Sequence, residues 1–411
     1  MMLTRMVKPH RWFRAVLAPF ERFAQPERLG SVLLLAAMIV AILWANSPWR
    51  GAYFGLWEAK LTVGSLAMSL QHWINDALMV VFFLLVGLEI KRELLIGELS
   101  TAKQASLPLI AALGGMLVPA LLYVSLNTGQ ETLRGWGIPM ATDIAFALGV
   151  LQLMGPRCPI GLKVFLTALA IIDDLGAIGV IALFYTDSLA GPALLLSLAV
   201  LLALVVLNRL RVRWLAPYLV LGAMLWFAVL RSGIHATIAG VLLALTIPAG
   251  TRTAAATGEE QQSPLIRLER SLASVVPYVI LPLFALANAG VDIAGARAPW
   301  ASRVGLGVFL GLFLGKPIGI TLFSWIAVKR GWAVLPSGVG WKSLHGAAWL
   351  GGIGFTMALF IASLAFEGAP RLDEAKLSVL FASAFAAIVG RYLVLRTYRA
   401  VADSRPLPAD G

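Results

Sequence analysis

The sequence predicts an all-α, polytopic membrane protein of about twelve transmembrane helices. Three features point that way. Of 411 residues, 59% are apolar or aromatic and only 13% carry a formal charge. That is roughly half the charged share of a soluble domain, too little to cover a body of this size with polar groups. The apolar residues gather into runs of about 20, the length that crosses a bilayer. Lys and Arg collect in alternate connections between those runs. Together these features exclude a soluble globular enzyme and leave little chain for an extramembrane domain.

Taken in order, the runs fall at about 31–47, 74–96, 105–125, 135–154, 160–186, 190–208, 214–231, 233–249, 271–291, 303–327, 345–366 and 376–396. Arg5, Lys8, Arg11 and Arg14 precede the first run, and Ala45-Asn46-Ser47 after it loosely mimics a cleavage site. The basic stretch is too long and the run too far in for a cleaved leader, so the first run is read as a retained span. Residues 1–30 are expected to be a cytoplasmic segment, 31–398 a single membrane domain and 399–411 a cytoplasmic tail. Between the first two runs, about 56–69, Trp57-Glu58-Ala59-Lys60-Leu61-Thr62-Val63-Gly64 predicts a small extramembrane β-hairpin. The most polar stretch, about 250–263, predicts a flexible cytoplasmic connector, with a helix starting at Ser263-Pro264.

Counting Lys and Arg by side gives the orientation. With the N-terminus cytoplasmic, about 24 of the 33 fall on that side and about 8 on the other. An even number of spans, with both ends inside, follows. The net charge of +12 is then a topological signal and requires no nucleic acid. One cation belongs to neither side: Lys316, in the middle of its run. Cys158 is the only cysteine, so no intramolecular disulfide forms, and it is read as a small apolar residue near a helix end.

Charge at membrane depth is costly and marks function by default. Asp173 and Asp174 stand side by side in Ala168-Leu169-Ala170-Ile171-Ile172-Asp173-Asp174-Leu175-Gly176-Ala177-Ile178. No turn residue interrupts the run before Gly176, so the pair is placed inside a helix and not in a loop between two short ones. Neighbours on a helix point about 100° apart, so these acids do not face each other, but both can line one polar cavity. Two carboxylates so close cannot both stay ionised cheaply, and they titrate as a coupled unit. Asp143 follows a Gly and a Pro in Gly137-Ile138-Pro139-Met140-Ala141-Thr142-Asp143, the pattern of an interrupted helix that restarts. A matching interruption occurs at Gly351-Gly352-Ile353-Gly354-Phe355-Thr356-Met357. Two discontinuous helices in corresponding halves point to a transport site. If they cross, like ends of their dipoles oppose each other, and Asp143 and Lys316 carry the signs needed to balance them. A buried Lys316 also needs a carboxylate partner, Asp173 or Asp174.

Other ionisable groups are less informative. For Asp76, and for Glu89 and Glu93 at the basic end of the second run, helix-end solvation explains the charge as readily as function does. His235, near an end of its span, is equally read as a satisfied histidine. His10, His72 and His345 are scattered, no zinc or copper ligand set exists, and no phosphate-binding loop of Walker spacing occurs. No cofactor is expected. A small cavity lined by carboxylates, with Thr142 as a possible oxygen ligand, suits protons or a hard monovalent cation. Competition of the two for the same oxygens gives cation/proton exchange if the site opens to one side at a time.

The segments Ala141-Thr142-Asp143-Ile144-Ala145-Phe146-Ala147-Leu148-Gly149-Val150, Ile171-Ile172-Asp173-Asp174-Leu175-Gly176-Ala177-Ile178, Ser232-Gly233-Ile234-His235-Ala236-Thr237, Leu281-Pro282-Leu283-Phe284-Ala285-Leu286-Ala287-Asn288-Ala289-Gly290, Gly315-Lys316-Pro317 and Gly352-Ile353-Gly354-Phe355-Thr356-Met357 resemble the NhaA family of bacterial sodium/proton antiporters. The likeness extends from about Leu29 to about Val394. It implies twelve helices built as inverted repeats, with crossed, broken fourth and eleventh helices, in the bacterial inner membrane. It also implies electrogenic exchange of Na⁺ or Li⁺ for more protons than cations. Asp173 and Asp174 would bind the ions, with Lys316 a partner of Asp173. Asp143 and Lys316 would balance the broken ends, and the hairpin would form a homodimer contact. The family's pH response implies a role for Glu269, in Arg267-Leu268-Glu269, with Glu89, Glu93 and His235 as further candidates. Two histidines that can follow Glu269 are Arg270 and Ala273 here, which leaves the pH set-point open.

Competing readings differ in chemistry. An intramembrane aspartyl protease needs acids on facing helices and a Gly-x-Gly-Asp signature that is missing. A passive channel fits poorly with a buried Lys among acids. The alternative that stays open is a proton-coupled transporter of another small substrate. It would want aromatic or hydrogen-bonding groups beside the acids, where this sequence has Ala, Gly, Ile and Leu.

Overall fold

The computed structural model describes residues 26–154, 158–186, 189–249, 263–295, 298–368 and 371–403. Most of the expected N-terminal segment, the polar connector at 250–262 and the tail from 404 lie outside the described residues. The helices are α1 (Pro26–Ala45), α2 (Arg50–Glu58), α3 (Leu70–Leu95), α4 (Ala102–Asn127), α5 (Ile144–Gln152), α6 (Ile160–Phe184) and α7 (Gly191–Arg209). They continue with α8 (Leu215–Leu230), α9 (Ile238–Thr246), α10 (Pro264–Asn288), α11 (Arg303–Lys329), α12 (Trp341–Gly351), α13 (Phe355–Ala365) and α14 (Arg371–Asp403).

Each of the twelve apolar runs contains helix, but the helices are not all of spanning length. Among the described residues seven are long and apolar enough to cross a membrane, namely α3, α4, α6, α7, α10, α11 and α14. The number rises to nine if two bent pairs each count as one span: α1 with α2, bent by 114°, and α12 with α13, bent by 41°. The runs at 135–154, 214–231 and 233–249 yield shorter pieces. In the first of them the opening half, Glu131–Met140, is wound as a 3₁₀ helix and not as an α-helix. Gly135, Gly137 and Pro139 are poor α-formers. Two buried tyrosines collect carbonyls from this segment, Tyr123 donating to Thr132 O at 2.7 Å and Tyr185 to Arg134 O at 2.5 Å.

The hairpin forms from β1 (Lys60–Val63) and β2 (Leu66–Ser69), antiparallel with Val63 opposite Leu66. It starts later than expected because Leu56–Glu58 finish α2. The two-residue turn has Gly64 at φ +60°, a backbone that favours glycine at the first central position.

Within lipid, burying apolar side chains against each other gains little over lipid contact, so close packing through small residues holds helices together. Gly114 of α4 and Gly319 of α11 illustrate this. A Cβ on Gly114 would stand 2.3 Å from the Gly319 carbonyl oxygen, and one on Gly319 would stand 2.1 Å from that of Gly114. The two backbones therefore touch, and this contact fixes Lys316 one turn away. Just before Lys316 the helix widens into a π-type turn at Gly311–Gly315. Pro317 has no N–H for the ladder, which removes one of the hydrogen bonds that would hold a regular turn there. At the other extreme, α7 buries little more than Val200 and Leu204 and turns Leu195 and Leu202 outward.

Candidate ion site

Two chain breaks meet in the protein interior. The first runs from Ala141 to Asp143, between the 3₁₀ segment and α5; the second from Gly352 to Gly354, between α12 and α13. The Asp143 N–H donates to Ile353 O at 2.6 Å, joining one break directly to the other. Asp143 has an extended backbone and caps α5, its Oδ1 accepting from Phe146 N at 2.9 Å. Its Oδ2 accepts from the Thr356 N–H at 3.0 Å and the Thr356 hydroxyl at 2.5 Å, at the start of α13. One carboxylate thus serves the N-terminal, positive ends of two half-helices.

Asp173 and Asp174 project from α6, which runs unbroken for 25 residues through the pair. Both are buried, with 1% and 2% exposure. Asp173 turns toward α11, where Lys316, fully buried, forms an ion pair with its Oδ2. Lys316 also donates to the Thr142 hydroxyl. That hydroxyl lies 2.8 Å from Gly351 O, the carbonyl end of α12, and 2.5 Å from Asp173 Oδ2. Lys316 therefore reaches the exposed carbonyl end through Thr142 and not by direct contact. Asp174, rotated away on the same helix, lies in electrostatic range of Asp173, Asp143, Glu89 and Lys316. Oδ1 of Asp173 and Oδ1 of Asp174 are buried and have no hydrogen-bond donor among the described residues. A buried carboxylate oxygen without a donor is stabilised by a proton or by a cation.

A second cluster stands at the far end of α3. Arg92 Nε donates to Glu269 Oε1 of α10 at 2.9 Å, and Arg92 Nη1 pairs with Glu93 Oε1 at 2.8 Å. Glu89 interacts electrostatically with all three. Arg92, one of the Lys and Arg residues that the count by side treats as topological, is the residue that gathers these acids. Arg270 lies within electrostatic range of Glu269. Ala273 lines a small cavity with Ser31, Gly149 and Gln152 between α10, α1 and α5, the room a larger side chain would take. His235 is brought to neither cluster. It pairs with Asp76 at 3.4 Å, with Thr237 at 2.8 Å on its Nδ1. Thr356, on the glycine break itself, is a further residue with no role in the sequence-based expectations. Its signal was a hydroxyl in the first turn after a glycine break, where a cap is needed.

Buried acids and a lysine gathered at two facing helix breaks define the class as a secondary ion transporter. The chain belongs to the Na⁺/H⁺ antiporter 1 family, whose model matches residues 21–395. It is 55% identical to a Na⁺/H⁺ antiporter NhaA of Paramagnetospirillum magneticum, over 92% of this chain and 96% of that protein. It is 52% identical to Na⁺/H⁺ antiporter NhaA 2 of Pseudomonas syringae pv. syringae, over 93% and 96%. With the NhaA of Oleidesulfovibrio alaskensis it shares 48%, over 93% and 94%. Among solved structures, the sodium proton antiporter MjNhaP1 of Methanocaldococcus jannaschii aligns with a TM-score of 0.49 and 16% identity, over 95% of this chain and 99% of that one.

Proposed function

We propose that this protein is an electrogenic sodium/proton antiporter. It extrudes Na⁺ or Li⁺ in exchange for more than one proton, by alternating access to Asp173 and Asp174. The observation that carries this reading is the pair of buried Oδ1 atoms without donors, beside a single compensating Lys316. Two adjacent acids and one ammonium leave the ionised cluster one negative charge in excess. A monovalent cation neutralises that excess, and so does a proton, so the two compete. Each carboxylate can release a proton as the cation binds, so two protons can leave for one cation arriving, and the cycle moves net charge. As pH falls, protons fill the oxygens and exchange slows. Along the chain the pair is flanked by Ala170, Ile171, Gly176 and Ala177, and the hydroxyl in contact with it is that of Thr142. That leaves little to recognise an organic substrate, which disfavours a proton-coupled transporter of another small molecule.

The same reading assigns the rest of the chain. The chain crosses the membrane twelve times with both termini cytoplasmic, an even count and an orientation that the threefold Lys and Arg bias supports, and its likeness to bacterial antiporters supports the bacterial inner membrane. Asp143 and Lys316 compensate the broken ends. Glu89, Glu93 and Glu269 around Arg92, together with His235, tune the response to pH. The hairpin joins two copies as a homodimer. Proteoliposomes holding an imposed pH gradient test the core of the proposal. Added Na⁺ or Li⁺ collapses the gradient, and K⁺ does not. A gradient that sodium leaves untouched from about pH 6 to 9, the range around neutral where acid–base groups at a working site operate, would falsify it.

A further inference from the structure

The start of α13 poses a hydrogen-bonding problem that Asp143 solves only in part. A helix leaves its first N–H groups without partners inside the helix, and here they are buried, Phe355 and Thr356 each being 1% exposed. The residue in the cap position is Gly354, which has no side chain to offer. A side chain there is crowded: a Cβ on Gly354 would stand 2.8 Å from Leu312 Cδ2 and 2.9 Å from Ala358 Cβ, so both neighbours would have to shift. The cap must therefore come from elsewhere in the fold. Asp143 Oδ2 takes the second N–H, from Thr356. The first, from Phe355, goes to Ser383 Oγ at 3.1 Å, a buried hydroxyl on α14. Around Ser383 that helix presents small residues to the break; a Cβ on Gly352 would stand 3.3 Å from Ala386 Cβ. A large side chain there would push α14 back and take the hydroxyl out of reach.

We infer that Ser383 is a positioning residue for the ion site: by taking the Phe355 N–H it leaves Asp143 free to hold α5 and α13 together. The division of labour is strict in geometry. Asp143 has two oxygens, and both are used, one for each half-helix. If the Ser383 hydroxyl is lost, the Phe355 N–H is orphaned beside that carboxylate and competes for it. Asp143 is then drawn toward α13, its hold on the α5 cap weakens, and Thr142, the adjacent residue and a partner of both Asp173 and Lys316, moves with it. The C-terminal helix, remote in sequence from every acid of the site, is in this way part of the cation's environment.

The inference rests on the exchange reading above, and its test separates the two. The full chain is reconstituted as wild type, Ser383→Ala and Ser383→Thr, and sodium-driven proton movement is measured against sodium concentration. Ser383→Ala is expected to raise the half-saturating sodium concentration about fivefold or more, with a maximal rate within about twofold of wild type. Ser383→Thr, which keeps the hydroxyl, stays near wild type. In parallel, backbone hydrogen exchange in a peptide covering Gly352–Met357 is faster in Ser383→Ala than in the other two. Half-saturation in Ser383→Ala within about twofold of wild type, or equal impairment of Thr and Ala, overturns the role of the hydroxyl. If wild type itself shows no response to sodium, the exchange reading fails, while the hydrogen-exchange comparison still decides whether Ser383 caps α13.

Discussion

Asp143 and Asp174 are the same residue type at the same depth, each 2% exposed, yet their surroundings are opposite. Asp143 spends both oxygens on donors that belong to the fold: Phe146 N, Thr356 N and the Thr356 hydroxyl. Asp174 has a buried oxygen with no donor and three other acids in electrostatic range. Asp173 is intermediate, with Oδ2 held by Lys316 and Thr142 and Oδ1 without a donor. Burial alone therefore does not mark a transporting carboxylate. The distinction is whether the protein has already supplied every partner. Where it has, the charge holds helices in place; where it has not, the proposed exchange completes it with a mobile ion.

The sharpest test of that contrast is at the incomplete pair. Asp174→Asn and Asp173→Asn are each expected to lower sodium-driven proton movement by more than about 100-fold. Asp174→Asn does so without loss of thermal stability, because it removes a charge the fold does not use. Removing Lys316 has the next largest effect, and a different one. Lys316→Ala strands Asp173 as a buried, unpaired charge, which costs about 3–5 kcal/mol and shows as a lower melting temperature. The deficit narrows as pH falls, since a proton on Asp173 cancels the unpaired charge. Undiminished melting in Lys316→Ala would mean that Asp173 does not need its partner.

How much of this could be read from the residues follows from the same physics. Acids and a lysine inside apolar runs are exceptions to hydropathy, so Asp143, Asp173, Asp174 and Lys316 announce themselves. Glycine and proline mark the breaks at 137–143 and 351–357 for the same reason. What stayed hidden depends on rotation and distance. The 100° between neighbouring helical residues says that Asp173 and Asp174 differ, but not which one faces α11. That was settled by the Gly114–Gly319 contact, which sets where α11 lies. Arg92 and Glu269 are 177 positions apart, and nothing local in either segment names the other. Gly135, Gly137 and Pro139 disfavour an α-helix over Glu131–Met140, but that Tyr123 and Tyr185 donate to its carbonyls is a tertiary effect that propensity does not report.

At the completed site the expected effects are smaller. Asp143→Asn keeps an oxygen for one half-helix but removes the charge that both N-termini face. A cost of about 1–3 kcal/mol is expected, from helix ends worth up to about 2 kcal/mol each in buried settings. Transport falls less than in Asp174→Asn. The comparison breaks if Asp143→Asn melts like wild type and transports nothing, because Asp143 would then be a working carboxylate and not a structural one.

A solvent-exposed charge contact bears on the same distinction at the protein surface. His72 Nε2 lies 2.8 Å from Glu367 Oε1, joining the start of α3 to the loop after α13, and both side chains are at least half exposed. The imidazole beside it holds the Glu367 carboxyl below its ordinary value. A carboxyl so depressed adds stability above its unfolded value of about 4.3 and loses it as pH falls further. The pair also needs a protonated imidazole, so its contribution fades as pH rises beyond the ordinary imidazole value of about 6.5. Screened by solvent, it is worth less than about 1 kcal/mol. Melting of Glu367→Gln against wild type should therefore show a small deficit near pH 5.5 and none at pH 9, roughly one unit and more than two from the two ordinary values. A deficit that persists at pH 9 would show that Glu367 holds α13 by hydrogen bonding to neutral His72, and that this surface acid, like Asp143, is a structural part of the fold.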